Sequence, residues 1–235
     1  MEQDMPMKYV YVMISQTQTG YAKLIRKVGK VVYNHASVSL DEEFSELYAF
    51  ARTEQYGYLV AKLVRETTDR YLVNSESGAP VKIFKVPVTE EQYDAIRDRI
   101  YEVLNDPEYK YNLFSVLTYP LFKGFATYKA YTCIEFVMHL LEPIMSHPLD
   151  KPIFRYKPDD LLDLLGEYAF FEGNLLDYMK EYTSSENYFC GVSLKLVRNS
   201  AKAFASIAYR TAVVASISLI TRLYELPLDE IFPDL

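Results

Sequence analysis

Several kinds of residue and motif are scarce in this chain of 235 residues, and each scarcity excludes a class of protein. Cys133 and Cys190 are the only cysteines, so no disulfide framework can form and a reducing compartment is expected. Phosphate-binding glycine loops, Gly-x-Ser-x-Gly elbows and Cys-x-x-Cys pairs are missing. Because no cluster of metal-ligating spacing is in view, neither a metal nor another cofactor is expected.

Basic residues are also fewer than acidic ones, which gives a formal net charge of −7. A nucleic-acid-binding protein needs a basic footprint, so nucleic acid is not an expected partner. The N-terminal residues MEQDMPMK carry acids where a signal peptide has basic residues, and the apolar run at 9–14 is too short for its hydrophobic region. A cytoplasmic location is therefore expected.

The hydrophobic patterns along the chain predict an α+β protein. Apolar stretches rich in β-branched and aromatic residues predict strands at 8–15, 35–40, 46–51 and 81–88, with the turn DEEFS joining the second and third strands as a hairpin. Apolar residues at helical spacing predict helices at 19–30, at 90–106, from Cys133 onward and across KPDDLLDLL at 157–165. The stretch at 52–80 is predicted to be irregular.

One strong change in composition occurs near the C-terminus. Between Leu194 and Arg222 the chain has no acidic residue but five basic ones, at Lys195, Arg198, Lys202, Arg210 and Arg222. The longest uncharged run there, 211–221, falls well short of the roughly 20 residues that span a bilayer. The segment 194–222 is therefore predicted to be a helix that packs on the body or on a second copy of the chain, or lies on a membrane surface.

The two cysteines differ in their predicted surroundings. Cys133 stands at the first turn of a helix, where the helix dipole and free backbone N–H groups stabilise a thiolate, although a cysteine in a helix can equally be core filler. A catalytic thiol needs a base, and His35 opens a predicted strand. His139 follows Cys133 by six residues and points about 240° around the helix axis, away from the sulfur. Glu135 and His139, four residues apart, are predicted to form a surface pair.

Two motifs resemble a known family. NHASVSLDEEFSELYAFAR, followed about a hundred residues later by YTCIEFVMHLL, resembles the circularly permuted papain-like hydrolases of the NlpC/P60 superfamily, in the YiiX/LRAT-like group. The family pattern H-[AV]-[SG]-[IV] is matched at 35–38, and the pattern C-[SE]-x-F-V is matched at Cys133, Phe136 and Val137. The resemblance covers roughly residues 8–180, with flanking segments like those of bacterial members, while 184–235 lies outside it.

The resemblance implies a small antiparallel sheet packed against the nucleophile helix within a domain at 1–183, followed by a helical extension at 184–235. It implies a cysteine hydrolase that cleaves an amide or ester of a small molecule, peptide or lipid, with Cys133 as nucleophile and His35 as base. The third polar residue of the family aligns near Ala49, with Glu46 as a polar neighbour. Two alternatives stay open: an inactive binding module of the same fold, and a lipid-directed acyltransferase or thioesterase.

Overall fold

The computed structural model describes residues 7–57, 59–75, 77–179, 183–185 and 188–224, with positions 21, 24, 28 and 218–224 described by their backbone alone. The strands are β1 Lys8–Ser15, β2 His35–Ser39, β3 Leu47–Arg52, β4 Ala61–Arg65, β5 Pro80–Val88, β6 Lys110–Tyr111, β7 Ala130–Tyr131 and β8 Ala169–Asn174. The α-helices are α1 Gly20–Gly29, α2 Thr68–Tyr71, α3 Glu90–Asn105, α4 Leu113–Leu117, α5 Tyr119–Phe122, α6 Cys133–Leu141, α7 Leu161–Leu164, α8 Leu175–Tyr178 and α9 Leu194–Tyr224.

Six strands form one antiparallel sheet in the order β4-β3-β2-β1-β5-β8. Each strand from β1 to β4 pairs with the next along the chain, so the first half of the sheet is a meander. The predicted hairpin is confirmed, because Val38 pairs with Tyr48 and Ser39 with Leu47. The α+β class is confirmed as well.

The helix boundaries follow from their capping residues. Thr19 accepts a hydrogen bond from the Ala22 N–H and starts α1 where the sequence predicts it. Thr89 and Gln92 form a reciprocal capping box at the start of α3. The predicted helices at 19–30, at 90–106 and from Cys133 are therefore confirmed, and the predicted helix at 157–165 is limited to α7 and a preceding 3₁₀ turn at Pro158–Asp160.

The short strands β6 and β7, which pair with each other, and two strands of the main sheet were not predicted. The expectation that 52–80 is irregular is wrong at β4, where Ala61 and Leu63 point into the core while Lys62 is exposed. Five residues with a single full alternation give too weak a pattern to separate a strand from a loop. The other is β8, which is mostly exposed and lies at the opposite edge of the sheet.

Helix α6 packs across β2 and β3. Every α6 residue except His139 is buried, and the ring of Phe136 contacts that of Phe50 with centroids 5.3 Å apart. Since fully burying one large apolar side chain contributes about 1.5–3 kcal/mol, this interface fixes the start of α6 firmly against the sheet. Within the described part of the chain, no helix has both the length and the apolar character needed to cross a membrane.

Candidate active site

Cys133 is the first residue of α6, and a capping box holds that helix end in place. Thr132 Oγ1 accepts a hydrogen bond from the Glu135 N–H at 3.2 Å, and the Glu135 carboxylate accepts one from the Thr132 N–H at 2.5 Å. The first N–H groups of a helix have no intrahelical acceptor, and they carry the positive end of the helix dipole. The thiol of Cys133 therefore lies beside unpaired donors and a partial positive charge.

His35 is the first residue of β2, and the structure brings it to Cys133. Its imidazole shares a cavity with the Cys133 thiol, which helps raise the imidazole pKa, and its Nε2 atom lies 2.9 Å from Glu66 Oε2. Because Nε2 is engaged by the carboxylate, Nδ1 is the ring nitrogen left for the thiol. A neutral imidazole held in this way carries its proton on Nε2 and offers a basic Nδ1 to the sulfur.

Glu66 directly follows β4 and is held by several partners. Its Oε2 accepts hydrogen bonds from Ser37 Oγ at 2.8 Å and from the Tyr71 hydroxyl at 2.5 Å, in addition to the contact with His35. The Arg70 Nε atom lies 3.8 Å from Oε1. The Glu66 side chain is only 4% exposed, so these bonds act in a medium where they are stronger than in water.

The charges of the pair follow from these contacts. Burial alone lowers the pKa of His35, but the Glu66 carboxylate and the hydrogen bonds to Cys133 and Glu66 outweigh burial and raise it from 6.5 to about 10. Burial raises the pKa of Glu66, but His35, Arg70 and Tyr71 lower it from 4.5 to about 2. At neutral pH the pair is therefore an imidazolium and a carboxylate.

Two small cavities meet at Cys133. The first, of about 90 Å³, has a mixed lining that includes the polar side chains of His35, Glu66 and Arg70 as well as Cys133, and we call it the polar cavity. The second, of about 80 Å³, is mostly apolar and includes Ile25, Val116, Tyr119 and Tyr156 in its wall. The sulfur thus lies where a polar and an apolar compartment join, although Cys133 as a whole is only 6% exposed.

Sequence reasoning missed Glu66 and placed the third polar group near Ala49. In the structure Ala49 is fully buried and pairs with Val64, while the carboxylate at His35 comes from the next strand along, at the end of β4. A signal was present in AKLVRE, an alternating run that ends in a glutamate. It was too short to be recognised as a strand.

The other histidines lie away from the thiol. His139 lines a separate cavity of about 710 Å³ on the far side of α6, and burial, with a smaller contribution from Arg99, lowers its pKa to about 4. The predicted surface pair with Glu135 is wrong, because Glu135 is 3% exposed and is used in the capping box. His147 lies in an exposed loop. The described residues contain no group of three or more His, Cys, Asp or Glu side chains that could hold a metal ion.

The segment leading into α9 also reaches the site. Tyr188 is 3% exposed and lines the polar cavity together with His35 and Cys133. Its hydroxyl accepts a hydrogen bond from Arg52 at 3.2 Å, and the guanidinium of Arg70 lies 4.3 Å from its ring centroid. One wall of the cleft is therefore supplied from the region predicted to be an extension. No protein-family model, curated protein or solved structure matches this chain.

Proposed function

We propose that this protein is a cysteine hydrolase that cleaves an amide or ester through Cys133, His35 and Glu66. The observation that carries the proposal is that the Cys133 thiol and the His35 imidazole line one cavity and interact there, while the imidazole is bonded to the buried Glu66 carboxylate. A nucleophile within reach of a base, with that base oriented by a third group, is the arrangement that nucleophilic catalysis requires.

The order of the elements supports assignment to the permuted papain-like fold of the NlpC/P60 superfamily. The strand that begins with the histidine precedes the helix that begins with the cysteine, and that helix packs on the histidine strand and its neighbour. An imidazole at a strand start and a thiol at a helix start then face each other across one helix–sheet boundary. The family motifs at 35–38 and from Cys133 coincide with these two positions.

The reaction begins with the proton of the Cys133 thiol on the His35 imidazole. An adjacent imidazolium and a helix N-terminus both favour a thiolate over a thiol. The thiolate attacks the carbonyl carbon of the substrate, and the carbonyl oxygen takes up negative charge. The backbone N–H of Cys133, in the unpaired first turn of α6, donates to this oxyanion.

The imidazolium then gives its proton to the leaving amine or alcohol, and the carbon–nitrogen or carbon–oxygen bond breaks to leave a thioester on Cys133. His35, now neutral, accepts a proton from a water molecule as that water attacks the thioester. The carboxylic acid product leaves and the thiol is restored. Throughout, Glu66 orients the imidazole and stabilises its positive form, as the third group of a catalytic triad does.

The alternative of an inactive binding module rested on the lack of a third polar group. Glu66 lies in hydrogen-bonding contact with His35, which favours the hydrolase over the module. The lipid-directed transferase differs from the hydrolase only in the acceptor, because an alcohol or amine in place of water resolves the same thioester.

The decisive experiment compares the two cysteines. Iodoacetamide at neutral pH is expected to alkylate buried Cys133 faster than exposed Cys190, the reverse of the order that exposure alone gives. Hydrolysis of p-nitrophenyl acetate is expected to be lost in Cys133→Ser and kept in the matched variant Cys190→Ser. Faster labelling of Cys190, or ester hydrolysis that survives Cys133→Ser, would overturn the proposal.

A further inference from the structure

Over the part of helix α9 whose side chains the structure describes, 194–217, the contacts with the body lie on one side. Leu196 and Ile207 are 3% and 4% exposed, and the Phe204 ring packs edge-on against Phe114 with centroids 5.3 Å apart. Arg210, near the middle of the helix, donates from Nη1 to the backbone carbonyl of Glu108 at 2.9 Å. These contacts fix which side of the 31-residue helix faces the solvent.

The opposite side of α9 combines basic and apolar residues. Lys195, Arg198 and Lys202 are all exposed, and at 100° per residue they fall within one 60° sector. Tyr209 falls inside this sector and Leu194 about 40° outside it, and they are 72% and 90% exposed. We name these five residues the outer face of α9. No acidic residue lies between 194 and 222 to balance its charge.

The first turn of α9 and the residues before it add further exposed apolar side chains. Phe189, Val192 and Val197 are 44%, 71% and 56% exposed, so they form with Leu194 a concentrated apolar tip beside Lys195. Such a cluster on a monomer marks a surface that contacts something apolar. Because Lys195 and the other cations of the outer face adjoin this cluster, a negatively charged partner complements it.

We infer that the outer face of α9 and its apolar tip dock on an anionic lipid surface. Where lysine and arginine are exposed beside apolar side chains, the cations can contact anionic headgroups while the apolar groups reach the acyl boundary. Each basic residue close to an anionic leaflet strengthens binding about fivefold. Peripheral docking also agrees with the finding that no described helix is long and apolar enough to cross a membrane.

A second copy of the chain is the less favoured occupant. A two-fold symmetric dimer places the same patch of both subunits together. Through this face it would bring Lys195, Arg198 and Lys202 of one chain against the same three cations of the other. Like charges at such an interface oppose association. A leaflet of anionic lipids presents negative charge to these cations and does not place like charges against each other.

The docked orientation would bring the cleft close to the lipid. Phe189, in the apolar tip, packs edge-on against Tyr188 with ring centroids 5.1 Å apart, and Tyr188 lines the polar cavity at Cys133. The lipid-binding inference itself does not depend on the proposed hydrolysis, because it rests on residues outside the site.

Flotation of the full chain with vesicles tests the inference. Binding is expected to vesicles of phosphatidylcholine with phosphatidylglycerol, to fall as salt rises, and to be absent with phosphatidylcholine alone. The triple variant Lys195→Glu, Arg198→Glu, Lys202→Glu is expected to partition at least about 100-fold more weakly. Its matched control reverses three exposed lysines elsewhere, Lys23, Lys27 and Lys62, and is expected to bind like the wild type.

The apolar tip has its own pair of variants. Leu194→Ser is expected to weaken vesicle binding, whereas Leu121→Ser, at a site 78% exposed and far from α9 in sequence, is expected to leave it unchanged. Absence of wild-type binding to the anionic vesicles would overturn the inference. The inference would also be overturned if a variant and its matched control lost vesicle binding to the same extent. A lipid-free dimer that dissociates in the triple variant would assign the face to a second copy of the chain instead.

Discussion

Glu66 Oε2 lies 2.9 Å from His35 Nε2, although 31 residues separate the two positions in the chain. The pair is buried, and its two charges offset the cost that burial imposes on each. The contact therefore serves both the stability of the fold and the chemistry proposed for Cys133. Each of these consequences can be tested separately.

The first prediction concerns Glu66→Gln. The amide keeps the size of the side chain but removes the charge that holds the imidazole protonated, so the pKa of His35 is expected to fall. Alkylation of Cys133 at neutral pH should slow about tenfold or more, and kcat for ester hydrolysis should drop at least about 100-fold. Glu46→Gln, which changes a glutamate bonded to Tyr101 at 2.8 Å, is the control and should alter neither rate.

A second prediction concerns Tyr71, whose hydroxyl donates to Glu66. Burial raises the pKa of Tyr71 well above 10, so its proton remains available for this bond. Tyr71→Phe is expected to destabilise the fold by about 1–3 kcal/mol, because a buried carboxylate loses a donor. It should also displace the alkaline limb of the pH–rate profile for Cys133 alkylation.

The control for this variant is Tyr93→Phe, which removes a hydroxyl bonded to the Leu40 carbonyl at 2.9 Å. That change should reduce stability without moving the pH profile. If Tyr71→Phe also leaves the profile in place, the tyrosine supports the fold and does not position Glu66.

The third prediction uses Glu135, whose pKa burial raises from 4.5 to about 7. Between these two pH values the folded protein retains a proton that the unfolded chain has released. The free energy of unfolding is therefore expected to fall as pH rises from about 4.5 to about 7, by up to about 3 kcal/mol. Glu135→Gln, which mimics the protonated acid, should remove this slope.

Urea unfolding from about pH 4 to about pH 8 measures the effect. Glu142→Gln, at an exposed position just after α6, serves as the control. Parallel stability profiles for the wild type and Glu135→Gln would contradict the buried position of this carboxyl.

A fourth prediction compares two helix caps. Thr132 caps α6 and Thr89 caps α3, and each belongs to a reciprocal capping box. Replacing either with Ala is expected to lower the free energy of unfolding by about 1 kcal/mol. Only Thr132→Ala should also slow Cys133 alkylation, because it frays the helix end that holds the sulfur. Equal alkylation rates in the two variants would mean that the cap does not affect the thiol.

The sequence predicts best those parts of this fold that depend on local patterns. Strands β1, β2, β3 and β5 and helices α1 and α3 follow from residue spacing within a few turns. The positions of His35 at a strand start and Cys133 at a helix start also follow from local sequence patterns. The structure then brings the two side chains into contact.

Glu66 was not predictable by the same means, because its role depends on the register of β3 against β4. That register pairs Tyr48 with Arg65 and so sets Glu66 just beyond the end of the ladder, next to His35. No spacing within the chain encodes it. Tyr188 is a similar case, since it lies more than 50 residues after Cys133 and reaches the cleft through tertiary contacts.

The meander of β1 to β4 affects the order in which the parts of the candidate site form during synthesis. All residues that build the imidazole–carboxylate pair lie within 35–71, whereas the thiol follows 62 residues later. Because synthesis proceeds from the N-terminus and neighbouring strands close short loops rapidly, the His35–Glu66 pair can assemble on the ribosome before Cys133 emerges. The growing chain then carries the proposed base before the proposed nucleophile, and the mechanism proposed here predicts no reactivity until α6 has packed on β2 and β3.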